Sequence, residues 1–183
     1  MENWLSIINQ VDFKGILHNQ PIMEEFTVTT RISPEAALLT DIMIAVFRMN
    51  GRLLEKGDQL VSPLNLTSAR WQVLGAVALA KKPLSAPQIA ETMGITRQGV
   101  QKQLNKLVEK NLLEQRHNPR HERSPIYALT EHGNSTFAKA MALESIWATG
   151  LSVGLPLEDL QKTLQTLNAL HDRLDSPIPK KGD

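Results

Sequence analysis

The chain has 183 residues, 42% of them hydrophobic and 21% charged, which allows one buried core and argues against two large domains. With no cysteine, disulfides, thiolate metal sites, cysteine nucleophiles and thiol redox sensing are excluded, and no stretch reaches the ~18 apolar residues of a membrane span. The net charge of +1 is unevenly spread: between residues 96 and 124, seven cations (Arg97, Lys102, Lys106, Lys110, Arg116, Arg120, Arg123) meet three acids (Glu109, Glu114, Glu122), a local +4 that points to a confined polyanion contact.

Residues 1–31 form an expected N-terminal arm. Trp4, Ile7, Ile8 and Val11 have helical spacing, while Met23 before Glu24-Glu25 offers an alternative start; both readings stay open. No basic leader region opens the chain, and a cytoplasmic protein is expected. Residues 32–62 read as a long helix and linker: Ser33 caps, Pro34 takes the first helical position and Glu35 suits the positive helix end. Its apolar face runs through Leu38, Ile42, Val46 and Phe47 to Leu53 and Leu54, with Gly57 as the expected stop after Lys56.

Past Pro63, Thr67 caps a second helix bearing Trp71, Leu74 and Val77. Ser85-Ala86-Pro87-Gln88 has the form of a capping box, and the short helix that it opens should close at Gly94 in the left-handed conformation. Thr96 caps again two residues later, before a helix that turns Val100, Leu104, Leu107 and Val108 inward and ends near Lys110 and Asn111. The period then becomes strand-like at residues 112–116 and 126–129, flanking a polar loop at 117–125, as in a two-stranded hairpin with a charged tip. Thr130 caps a helix that reaches about Thr149. A last helix from Pro156 sets Leu157, Leu160, Leu164, Leu167 and Leu174 at heptad spacing; His171 at the remaining seam position either sets pairing register or, the favoured reading, tilts outward while Leu170 takes the core, and the tail at 177–183 should fray.

Residues 88–104 have the grammar of a helix-turn-helix. Ala90 is small enough for a close helix crossing, Gly94 supplies the turn, and Ile95, Val100 and Leu104 anchor the second helix. That leaves Thr96, Arg97, Gln98, Gln101, Lys102 and Asn105 outward, most of them in the first two turns, where side chains reach base edges and phosphates of a major groove. Arg120 and Arg123 at the hairpin tip suit the negative potential of an adjacent minor groove.

The order of long helix, helix, helix-turn-helix, two-stranded wing and two C-terminal helices resembles the multiple-antibiotic-resistance regulator (MarR) family over residues 33–175. Its local marks are Leu66-Thr67 with Trp71-Gln72-Val73-Leu74, the loop Asn118-Pro119-Arg120-His121-Glu122-Arg123-Ser124, and Leu129-Thr130-Glu131-His132-Gly133. The resemblance implies a mainly α winged helix-turn-helix fold: a DNA-binding lobe at 63–130, flanked by dimerisation helices at 32–62 and 131–176. It implies a homodimeric regulator, a repressor in most relatives, on a near-palindromic double-stranded operator with half-sites about 34 Å apart. It also implies a small aromatic or phenolic effector in a crevice, for which Phe47, Arg48, Trp71 and Phe137 are the candidates, plain core packing being the alternative. One departure matters: the family's acidic wing residue, expected to pair with a base such as Arg116, is His121 here. Either Glu122 or Asn118 substitutes for it, or the wing is more mobile.

No nucleophile elbow, zinc-protease motif, phosphate loop or dinucleotide turn is present, so no enzyme and no cofactor is expected. His117 and His121 fall in a loop with no cluster of carboxylates at ligand spacing and read as surface histidines, not metal ligands. The remaining alternative is a winged-helix module that docks protein instead of DNA.

Overall fold

The computed structural model describes residues 32–80, 82–119 and 121–178; the arm at 1–31, Arg120 and most of the tail lie outside the described residues. The chain divides into two compact units, one ending at Gly57 and one beginning at Asp58. Helix α1 (Pro34–Val61) supplies most of the described part of the first unit, and its last turn, from Asp58, belongs to the second. Its start follows the expected chemistry, since Ser33 Oγ accepts from the Ala36 amide at 3.2 Å. A backbone hydrogen bond and the Ser33 hydroxyl hold the Glu35 carboxyl below its ordinary pKa.

Gly57 does not stop this helix, which continues for another turn to Val61. Val61 is fully buried, and placing it in the core of the second unit outweighs the weak helix preference of one glycine. The turn ends instead at a 3₁₀ segment, Ser62–Leu64, and at Asn65 with φ 55°, where Leu66 N–H donates to the Val61 carbonyl. Asp58, in the added turn, accepts a hydrogen bond from the Ser68 amide at the start of α2 (Ser68–Leu79), alongside the expected Thr67 cap.

The hairpin is also larger than expected. Leu84–Ser85 forms a short strand β1 that joins β2 (Leu113–Arg116) and β3 (Ile126–Leu129) in an antiparallel sheet of order β1-β3-β2, with Leu84 opposite Tyr127 and Leu113 opposite Leu129. A two-residue strand has no period to read, and only its partner reveals it. Ser85 then ends β1 and opens α3 (Ala86–Met93), its amide and hydroxyl both donating to Gln88 Oε1 at 2.9 Å.

Gly94 takes φ 62° and Ile95 N–H donates back to the Ala90 carbonyl, closing α3 as expected. Helix α4 (Arg97–Glu109) is capped by Thr96, whose Oγ1 accepts from Gly99 N–H at 3.1 Å. It ends at Asn111 with φ 54°, Leu112 N–H bonding the Leu107 carbonyl. Asparagine tolerates this conformation better than most residues, so both of its left-handed uses here, Asn65 and Asn111, are inexpensive. Thr130 caps α5 (Glu131–Ser152), which runs three residues past the expected Thr149, and α6 (Leu157–Leu174) follows.

One apolar cluster holds the second unit together, with Val73, Leu74, Ile89, Val100, Leu104, Leu107 and Leu113 all nearly or fully buried, and each such side chain contributes ~1.5–3 kcal/mol by removal from water. Ile95 does not join it: at the turn after Gly94 it remains 43% exposed, so Val100 and Leu104 alone of the three expected anchors hold α4 inward. Gly133 marks the closest approach, because a Cβ there would lie 1.9 Å from the Leu112 carbonyl oxygen. Among the described residues no single helix is long and apolar enough to cross a membrane; α5 and α6 reach that composition only as a pair bent by 112°.

Candidate nucleic-acid interface

The amphipathic character of α4 separates its residues cleanly. Val100, Leu104 and Leu107 are buried, while Thr96, Arg97, Gln98, Lys102 and Asn105 are exposed and Gln101 is half-buried. The helix is therefore docked by one face, and of the six polar residues expected outward all but the half-buried Gln101 are exposed. Thr96 has a structural duty as well, since its hydroxyl oxygen satisfies the Gly99 amide.

Not every cation in the basic segment is available to a partner. Lys106 pairs with Glu109 at 2.8 Å, and that ammonium, through its hydrogen bond and charge, holds the Glu109 carboxyl below its ordinary pKa. Arg116 is clasped by Glu114 on the same strand, and Lys110 Nζ donates to the Asn65 carbonyl at 2.9 Å. Among the described residues Arg97, Lys102 and Arg123 are in no ion pair and keep their charge for something else.

Arg97 and Arg123 share a groove of about 1,100 Å³ between the start of α4 and the wing loop. Lys82, which the sequence reading did not single out, lines the same groove with His121 and Glu122. Its signal was weak: one of two lysines, Lys81-Lys82, ahead of Pro83, outside both the helix-turn-helix and the wing. Arg120 lies outside the described residues, so the wing's contribution is described through Arg123.

At the wing, neither Asn118 nor Glu122 takes the place of the missing acid against Arg116. Arg116 turns to Glu114, and Asn118, 9% exposed, donates Nδ2 to the Ser124 carbonyl at 2.7 Å across the base of the loop. The loop is stitched further by His121 N–H to the Asn118 carbonyl and Ser124 N–H to the His121 carbonyl. A neutral amide thus closes the turn in place of an ion pair.

The aromatic candidates divide between the units. Trp71 and Phe137 are half-buried in the second unit and line one apolar recess of about 380 Å³, with Gly75, Leu79, Met93 and Met141. Phe47 and Arg48 are exposed on α1 in the first unit. Among the described residues there is no group of three or more histidine or acidic side chains arranged to hold a metal ion.

The MarR family model matches residues 64–124, the segment from the end of the 3₁₀ turn to the wing loop. An uncharacterized protein of Mycobacterium tuberculosis (strain H37Rv) is 44% identical over 88 residues, which are 48% of this chain and 60% of that protein, so the chain spans less than two thirds of that relative's length. Among solved structures, a MarR-family transcriptional regulator from Rhodococcus sp. RHA1 superposes with a TM-score of 0.65 at 22% identity, covering 73% of this chain and 94% of that one. CouR from Rhodococcus jostii RHA1 bound to p-coumaroyl-CoA gives 0.65 at 20% identity, covering 78% and 98%. The MepR–DNA complex of S. aureus gives 0.65 at 20% identity, covering 72% and 96%. Residues 64–124 thus match the MarR family model, and the described residues have a fold similar to that of solved MarR-family transcription regulators.

Proposed function

We propose that this chain is a sequence-specific double-stranded DNA-binding transcription regulator, a cytoplasmic homodimeric repressor that is not an enzyme. The observation that carries this reading is the groove in which Arg97 and Arg123 meet with Lys82, beside the exposed polar face of α4. Phosphates need unpaired cations on one side of the domain, and base edges need uncharged hydrogen-bonding side chains on a helix that can enter the groove. Thr96, Arg97, Gln98, Gln101, Lys102 and Asn105 supply the helix contacts, and Arg123 and Arg120 the wing contacts. A similar fold in MepR is solved on DNA, which favours this use of the surface.

A near-palindromic operator follows if two copies pair about a two-fold axis. Small aromatic effectors would release it by preferring a DNA-incompetent state. The Trp71 and Phe137 recess is the proposed seat, with Phe47 and Arg48 kept as further candidates from the sequence. CouR, of similar fold, is solved with p-coumaroyl-CoA, which makes hydroxycinnamoyl compounds the first effectors to try.

The test is selection of binding sites from random duplex DNA, then affinity against salt by fluorescence anisotropy. Each phosphate contact contributes a slope of about −0.9 in log affinity against log salt, so Arg97→Ala with Lys102→Ala, which removes four cations from a dimer, should flatten it by about 3–4 units and weaken binding to all sequences. Wild-type protein that enriches no sequence, or binds DNA with no salt dependence, would sink the reading and favour a protein-docking module. Addition of effector to the same titration should lower affinity for the selected site.

A further inference from the structure

Gln101 does not sit on α4 as a free side chain. Its Nε2 donates twice, to Asn105 Oδ1 at 2.9 Å and to Tyr127 Oη at 3.0 Å. Tyr127 is 2% exposed and lies on β3, the central strand, paired with Leu84 on one side and Gln115 on the other. The hydroxyl is therefore fixed by the sheet, and through it the sheet fixes an amide on the exposed helix face.

We infer that Tyr127 is a positioning residue that makes Gln101 an acceptor-only reader of a base pair, directing it to the exocyclic amine of adenine or cytosine; this rests on the DNA-binding reading above. An amide has two donors and one acceptor oxygen. With both donors of Gln101 committed inward, only Oε1 remains for the major groove, where the exocyclic amines of adenine and cytosine are the donors. The bidentate adenine contact that a free glutamine makes needs one donor and is closed to it. Asn105 shows the converse: its oxygen is taken by Gln101, so its Nδ2 is left for an acceptor such as guanine O6, thymine O4 or a phosphate oxygen.

The linkage also crosses the lobe. Tyr127 is in the same sheet as the wing strands, so the base-reading amide and the wing share one rigid support. A pre-set side chain loses less rotamer freedom on binding than one that must be ordered by the DNA.

The test uses the selected operator and three full-length variants. Gln101→Ala locates the base pair, as the position whose preference it removes. There, wild type should prefer adenine or cytosine facing Gln101 and bind about tenfold more weakly when a base analogue lacking the amine is inserted. Tyr127→Phe, which fills the same space, should abolish most of that tenfold difference while changing affinity for random-sequence DNA less than twofold and leaving the circular dichroism spectrum unchanged. Asn105→Ala should also relax the preference at that base pair, by removing the other acceptor of Gln101. Tyr127→Phe that retains full sensitivity to the missing amine, or wild type that prefers an acceptor at that position, overturns the inference while DNA binding stands. Wild type that selects no sequence removes the parent reading and this one together.

Discussion

Asn118 is buried in a loop whose neighbours His117, Pro119 and His121 are exposed, and its amide holds the Ser124 carbonyl across the loop base. A lost side-chain hydrogen bond of this kind costs about 1 kcal/mol, more if the carbonyl stays buried without a partner. Asn118→Ala should therefore destabilise the protein by about 1 kcal/mol, and its main effect should be local. Amide hydrogen exchange should quicken at residues 121–124 and remain unchanged in α3 and α4, and equal protection in both proteins would show that the loop closes by other means. At this scale the sequence was partly readable. Asn118 and Glu122 were both open as substitutes for the missing acid at His121, but Arg116 pairs with Glu114 instead and Asn118 closes the loop on Ser124. Tyr127 gave no such signal, because its partner Gln101 is 26 residues away and the pairing depends on how β3 crosses α4.

The helix ends were legible because their chemistry is local. Gln88 bonds Ser85, Gly99 bonds Thr96 and Gly133 bonds Thr130, each pair three residues apart, while Gly94 and Asn111 adopt the left-handed φ that their residue types favour. The failures at this scale were of the opposite kind. Gly57 looked like a stop and is passed over for the sake of Val61, and Ser85, expected only as a cap, also forms a strand with Leu84. Gly133 joins both: it sits in the first turn of α5, and it faces the Leu112 carbonyl where Thr130 also donates its amide, at 3.2 Å. Backbone cannot yield as a flexible side chain does. Gly133→Ala should cost about 3 kcal/mol by forcing α5 away from the end of β2, although alanine is the better helix former by about 1 kcal/mol. Chemical denaturation should show a lower midpoint with an unchanged slope, and a variant as stable as wild type would mean that the contact is not held in solution.

For the whole molecule, the apolar surface is too large to leave to water. Ile146, Leu151, Val153 and Leu155 along the end of α5 and its turn, and Leu157, Leu160 and Leu164 along α6, are all exposed in the single chain. The α6 residues follow the heptad spacing of a helix that packs on another helix, as in a second copy of this chain. Leu160→Glu with Leu164→Glu should convert the proposed dimer to monomer in sedimentation at micromolar concentration, and operator affinity should fall by two orders of magnitude or more, since each half-site would bind alone. A wild-type chain that sediments as a monomer would remove the dimer from the reading.

The amino-acid sequence by itself determined the helices, their caps and turns, the winged helix-turn-helix order and the polar face of α4, because each depends on residues within a few positions of one another. Tertiary structure alone decided that β1 completes the sheet, that Lys82 joins Arg97 and Arg123 in one groove, that Lys110 is engaged by the Asn65 carbonyl, and that Tyr127 holds Gln101. Charge and residue type can be counted along a chain. Which charges share one groove and which donors are spent on a distant segment depends on distances between parts far apart in it, and those come into being only when the apolar core closes.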